Sequence, residues 1–175
     1  MDFINKLTVD KEIAYKMLYS NEKIPVHIKC YNGFQNKDIR KFVEIVYKNF
    51  EEYNKYPELN HHRKNITKIL KYPKSIVILA LNDNKIIAYL IASNISNNIM
   101  HVFYLFVTPV RRKSSIATYM LNIIQEKTFY ESLNILSISV DTYNKENEKF
   151  FIDNNFNYDD NYRTYNRYDF MIKHV

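Results

Sequence analysis

One glycine in 175 residues is the tightest constraint on how this chain can turn. Turns that need positive φ normally fall to glycine, which has no Cβ to clash, and with Gly33 as the sole example the chain must use asparagine or aspartate instead. Asparagine clusters therefore act as punctuation. Asn82-Asp83-Asn84 divides an apolar run, Ser75 to Leu81, from a second, Lys85 to Ile95, and Asn97-Asn98 divides the second from Met100 to Val107. Three short apolar runs bounded by turn residues predict three consecutive antiparallel strands.

Around this meander the period changes. Ile39, Phe42, Val43, Val46, Phe50 and Tyr53 recur at helical spacing after Asn36, a good N-cap, and Ile66, Ile69 and Leu70 mark a shorter helix from about Asn60 to Lys71. After Val107, the stripe Ile116, Ala117, Met120, Leu121 and Ile124 predicts a helix running toward Glu131. Leu133 to Asp141 reads as a strand. Asn144 caps a short helix carrying Phe150 and Phe151, Asn155 takes its left-handed C-terminal position, and Phe156 to Val175 alternates as a terminal hairpin. Residues 1–25 are expected to add a helical extension to a core over 27–175, the whole forming a single domain over 1–175. The element order predicts a mixed α/β (α+β) sheet flanked by helices.

Composition excludes several classes. No run of about 18 uncharged apolar residues is present to span a bilayer, and Met1 to Lys6 lacks the features of a secretory signal, so the expected compartment is the cytoplasm. Cys30 is the only cysteine, which excludes an intramolecular disulfide and a cysteine metal cluster. His61-His62 are helical neighbours about 100° apart with no third ligand marked, so no metal is expected. The net charge of +6 comes from lysines scattered among asparagine, isoleucine and tyrosine, a compositional bias of the kind an AT-rich genome produces rather than a nucleic-acid patch. Arg163 and Arg167 interleave with tyrosines in the tail as in single-strand nucleic-acid binders, but hairpin alternation explains the pattern more simply.

The chemistry concentrates at one junction. A strand ends at Val107, Pro109 breaks the turn, Arg111-Arg112-Lys113 follows, and Ser114-Ser115 opens a helix. The first N–H groups of a helix lack internal partners and sit at its positive dipole end, so with nearby cations they suit an anion.

This junction resembles the N-acetyltransferase superfamily known as GNAT, and within it the RimI-like and small-amine acetyltransferases. Val107, Pro109, Arg112 and Ala117 fall in register with Val-x-Pro-x-x-Arg followed by x-x-Gly-x-Gly/Ala, with Ser115 at the first glycine position, where a serine can cap the helix. Asn144, Asn147, Phe150, Phe151, Asn155 and Phe156 fall in register with the family's second pattern, Asn-x-x-Ala-x-x-Phe-Tyr-x-x-x-Gly-Phe. The resemblance implies a mostly antiparallel twisted sheet that splays between the fourth and fifth strands of the core. It implies that Leu105, Phe106 and Val107 pair with the pantetheine arm of acetyl-CoA. Arg112, Lys113, Ser114, Ser115, Ile116, Ala117 and Thr118 would hold the pyrophosphate, and Asn144 and Phe151 would flank the thioester.

The implied reaction is direct attack of a primary amine, on a small molecule or a protein, by a monomer or homodimer without metal or membrane. The family's usual acid, a tyrosine, is replaced by Phe151, and its common strand carboxylate falls at Phe103 or Tyr104. His101, on the same strand face as Phe103, is the candidate base, and Tyr143, beside Asn144, the candidate acid. Two other functions fit the chain: a degenerate member that binds acyl-CoA or a protein partner without turnover, and a basic nucleic-acid module.

Overall fold

The computed structural model describes residues 11–19, 22–32, 36–53, 63–72, 74–83 and 85–175. The expectations for residues 1–10 and for His61-His62 lie outside these. In chain order the elements are β1 (Lys11–Tyr19), β2 (Glu22–Asn32), α1 (Asn36–Tyr53), α2 (Arg63–Leu70), β3 (Ser75–Asn82), β4 (Lys85–Asn94), β5 (Ile99–Val107), α3 (Ile116–Tyr130), β6 (Ile135–Asp141), α4 (Lys145–Asp153), β7 (Asn157–Tyr158) and β8 (Tyr168–His174). The described strands form one sheet in the order β1-β2-β3-β4-β5-β6-β8-β7, antiparallel except where β5 runs parallel to β6.

The expected helical extension is corrected over its described part. Lys11–Tyr19 is a strand that pairs antiparallel with β2 from Lys11 opposite Cys30 to Tyr19 opposite Glu22. Ile13 and Met17 sit four apart as in a helix, but Ile13, Tyr15, Met17 and Tyr19 also alternate as in a strand, and the neighbouring β2 edge decides between the two periods.

The sheet carries a core on each face. On one side α3 and α4 place Met120, Leu121, Ile124 and Phe151, with Phe156 just past the end of α4, against Ile78, Leu90, Val102, Leu136 and Val140. On the other, α1 and α2 place Phe42, Val46, Ile66 and Leu70 against Leu79, Tyr89, Ile91 and Tyr104. Each such buried side chain contributes about 2 kcal/mol of transfer free energy, which is what fixes the strand faces. Arg63 ties α2 to α1: its Nε donates to Glu44 Oε1 at 2.8 Å while its guanidinium lies 3.5 Å from the Tyr47 ring centre.

The glycine-poor turns behave as expected at two places. Asp83 has φ 47°, and Asn155 has φ 65° after α4. There the Phe156 amide donates to the Phe151 carbonyl at 3.0 Å and the Asn155 amide to Ile152 at 2.9 Å, the paired bonds of a Schellman ending. The hydrophobic contact that accompanies such an ending is the Phe151–Phe156 ring pair, 5.7 Å apart.

Candidate functional site

The parallel pairing of β5 and β6 is short. It joins Ile99–Val102 to Ile135–Ile138 and then stops, although β5 continues to Val107 and β6 to Asp141. The cause lies on the other edge of β5. Ile91 is opposite Tyr104 but Ala92 is opposite Val102, so Phe103 is a β-bulge with no residue facing it on β4. A bulge bends its strand and increases the local twist, here turning β5 away from β6 one residue after their last pairing. It also makes two successive residues face one way. Phe103, Tyr104 and Phe106 pack toward α1 and α2, whereas Val102, Leu105 and Val107 pack toward α3 and α4.

At the far end of this fork the chain enters α3. Pro109–Arg111 forms one 3-10 turn, the Arg112 amide donates to the Pro109 carbonyl at 3.2 Å, and the Ser114 hydroxyl donates to the Arg111 carbonyl. Lys113 and Ser115 both have φ 63°. Left-handed residues alternating with ordinary ones curl successive amides toward one point, the backbone arrangement of an anion nest. Among the described residues no acceptor bonds the N–H groups of Lys113, Ser114, Ser115, Ile116, Ala117 or Thr118. The Arg112 and Lys113 side chains stand exposed beside them, with Arg112 Nε 3.4 Å from the Val107 carbonyl. Ser115 does not cap the helix as the sequence led us to expect. A capping hydroxyl needs an extended backbone at its own residue, and Ser115 is left-handed.

That conformation makes Ser115 a strained stand-in for glycine. Left-handed backbone costs a residue with a Cβ about 1–2 kcal/mol, part of which glycine returns through its freer unfolded state. Ser115→Gly is therefore expected to raise unfolding stability by roughly 0.5–1 kcal/mol, read from denaturant titration; a loss of stability would show that the serine hydroxyl holds the turn.

The remaining candidates spread around the fork. Asn144 caps α4, its Oδ1 accepting from the Asn147 amide at 3.2 Å as expected. Tyr143 precedes it with 72% of its surface exposed, and the Arg167 guanidinium lies 5.3 Å from its ring centre. Phe151 is buried in the α3/α4 core, 5.1 Å from Phe150. His101 sits on the α1/α2 face where the strands are still paired, only 6% exposed. Its Nδ1 is 2.8 Å from Ser137 Oγ, and its ring is packed edge-to-face with Phe103 at 4.8 Å and Phe170 at 5.6 Å. Burial lowers its pKa to about 4, so the ring is neutral at neutral pH. Burial also pushes the Tyr104 phenol upward, keeping it protonated.

Sequence reasoning missed Ser137 and Phe170, because each depends on the register of strands brought together by a long connection, and it missed the bulge, because a slip within the β4–β5 hairpin leaves no local signal. It also missed what the tail arginines do. Arg163 Nε donates to Asp169 at 3.0 Å, and Arg167 grips both oxygens of Asp141 at 3.2 and 3.1 Å. The Thr142 amide and hydroxyl both donate to the Arg167 carbonyl, at 2.8 and 3.0 Å, so the β8 entry holds the turn that leads to Asn144.

A family model described as the acetyltransferase (GNAT) family matches residues 41–156, a stretch that takes in the fork and both helix entrances. The chain belongs to the GNAT acetyltransferase family. Solved structures agree in fold. Ard1 from Thermoplasma volcanium is similar at 16% identity and a TM-score of 0.66, over 86% of this chain and 97% of that one. The PaiA N-acetyltransferase from Thermoplasma acidophilum, solved in complex with coenzyme A, is similar at 16% identity and a TM-score of 0.61, over 85% and 99%. The ribosomal-protein-S18-alanine N-acetyltransferase from Escherichia coli is similar at 13% identity and a TM-score of 0.62, over 83% and 90%. Among curated proteins, no sequence matches this acetyltransferase-family chain. Among its described residues, no three His, Cys, Asp or Glu side chains group to hold a metal, and no helix is long and apolar enough to cross a membrane.

Proposed function

We propose that this GNAT member is a single-domain enzyme that transfers an acetyl group from acetyl-CoA to a primary amine of a small molecule or protein, working in the cytoplasm as a monomer or homodimer. The observation that carries the reading is the continuity of the fork with the amide row at the start of α3. Leu105, Phe106 and Val107 lie along the fork in position to bond a pantetheine arm as a strand would. The amides from Lys113 to Thr118, with the Arg112 and Lys113 charges, suit a pyrophosphate at its end. In this reading Asn144, the cap of α4, and Phe151, buried in the core beneath it, would flank the thioester end.

In this reading a neutral amine attacks the thioester carbon, the C–N bond forms, the C–S bond breaks and the thiolate leaves. Once bonded to the acyl carbon, the nitrogen is far more acidic than a free ammonium. His101, unprotonated above about pH 4, is then able to take its proton. Tyr143 returns a proton to the thiolate. A second reading, a family member that binds acyl-CoA without turnover, is favoured by Phe151, which has no hydroxyl where the family pattern carries one.

The test is calorimetric titration with acetyl-CoA followed by thiol release over a panel of amines. Micromolar or tighter binding is expected, weakened about tenfold in Arg112→Ala by loss of a charge-assisted contact. Release is expected to fall by about 10²-fold in His101→Ala and in Tyr143→Phe. Rates within threefold of the parent would remove those two roles. Binding without release from any amine would favour the second reading, and no binding would remove both.

A further inference from the structure

The fork has a closed end, and the side chains that close it bear on which acyl group the protein accepts. In the plane of the sheet the slot stops where β5 and β6 resume pairing at Val102 and Ile138, since paired strands lie only about 4.8 Å apart. On the α3/α4 face the same point is covered by Val102, Ile138 and Val140, all buried in the larger core. On the α1/α2 face it is covered by aromatic rings. His101 stands between Phe103 and Phe170, with ring centres 4.8 and 5.6 Å away, and its Nδ1 contact with Ser137 at 2.8 Å fixes the ring. Phe170 arrives from β8, opposite Ser139 on β6, and reaches His101 across the small serines of that strand.

We infer that Phe103 and Phe170 make this closed end a selectivity wall that admits an acetyl group and refuses longer acyl chains. The inference rests on the acyl-CoA reading of the fork. Under that reading a cofactor arm running along Leu105 to Val107 from the α3 entrance points its acyl end at Val102 and the rings around it. An acetyl methyl, the shortest acyl chain, asks for the least room short of them. Each further methylene must displace a packed ring or enter a filled core, and forcing extra methylenes into packed surroundings carries a strain cost. Phe103 is the removable part of the wall. As the bulged residue it has no cross-strand partner, so truncating its ring leaves the β4–β5 register in place.

The experiment compares calorimetric binding of acetyl-CoA and hexanoyl-CoA to the full chain and to Phe103→Ala and Phe170→Ala. The parent is expected to prefer acetyl-CoA by about 100-fold, in line with what methylene discrimination in an apolar pocket delivers. In Phe103→Ala the preference is expected to shrink at least about tenfold, with Phe170→Ala moving the same way. If either alanine variant fails to fold, Phe103→Leu and Phe170→Leu carry the comparison. Equal affinities in the parent, or a preference untouched by every variant, would overturn the wall while leaving the cofactor reading standing. Binding of neither thioester would overturn the cofactor reading, and the wall with it.

Discussion

Asp169→Ala is expected to cost about 3–4 kcal/mol of unfolding stability. The Asp169 side chain is fully buried, at 0% exposure, and its carboxylate serves four donors. Arg163 Nε donates at 3.0 Å, the Thr164 amide at 2.7 Å, the Thr164 hydroxyl at 3.3 Å and its own neighbour Phe170's amide at 2.9 Å. The guanidinium is in turn stacked between two rings, 4.4 Å from the centre of Tyr158 and 4.7 Å from that of Tyr165. Alanine would leave two backbone donors and a cation without their acceptor in a partly buried setting, the costly case of removing one member of a buried pair.

Burial alone would raise the Asp169 pKa, but the Thr164 amide, Arg163 and the Phe170 amide outweigh it and hold the carboxyl below its usual range. Its contribution is therefore present above the ordinary aspartate pKa and lost as pH falls through the folded value. Urea titration at neutral pH checks the magnitude. Asp169→Asn, which keeps the shape and part of the bonding, is expected to lose about half as much. A cost under about 1 kcal/mol for alanine would mean that the connection between β7 and β8 holds its shape by stacking alone.

His101 produces the second large effect, and it appears only in acid. Its folded pKa of about 4 lies below the ordinary 6.5 because burial disfavours the imidazolium. Between those values the unfolded chain binds a proton that the folded chain does not. Stability is thus fully present above pH 6.5 and declines as pH falls toward 4, by about 3 kcal/mol in all from this one ring. Comparison of unfolding free energies for the parent and His101→Gln across pH 7 to 4 isolates the term, since the carboxylates are common to both. The parent's acid slope is expected to exceed the variant's over that window. Parallel curves would mean that water reaches the ring and that the packing of Phe103 and Phe170 around it is looser than the distances imply.

Local signals in the sequence located most of the frame. The meander was legible because Asn82-Asp83-Asn84 and Asn97-Asn98 interrupt apolar runs too short for helices, and α3 because Ile116, Met120, Leu121 and Ile124 share one face. Asn155 was legible as a left-handed residue because the helix before it had to end and no glycine was at hand. The site was only partly legible. The basic turn and its amides are local, so they could be read. The fork was legible only through the family resemblance, which implied a splay at this pair of strands, since the slip that places Val102 opposite Ala92 and Tyr104 opposite Ile91 leaves no mark in the residues themselves. Ser137 meets His101 across 36 residues of chain through a parallel crossover, and Arg167 meets Asp141 across 26. Both depend on registers that no window of sequence contains. At β1 two periods fitted one segment, and pairing with β2 chose between them.

The bulge at Phe103 gives β5 two parities. Before it odd-numbered positions look toward α1 and α2; after it even-numbered positions do. Loss of one residue there would restore a regular pleat and let β5 run on beside β6, zipping the slot shut, while gain of one would swap every side chain on one half of the strand. A protein that keeps its opening by miscounting along a ladder can accept many spellings of that strand but few changes in its length.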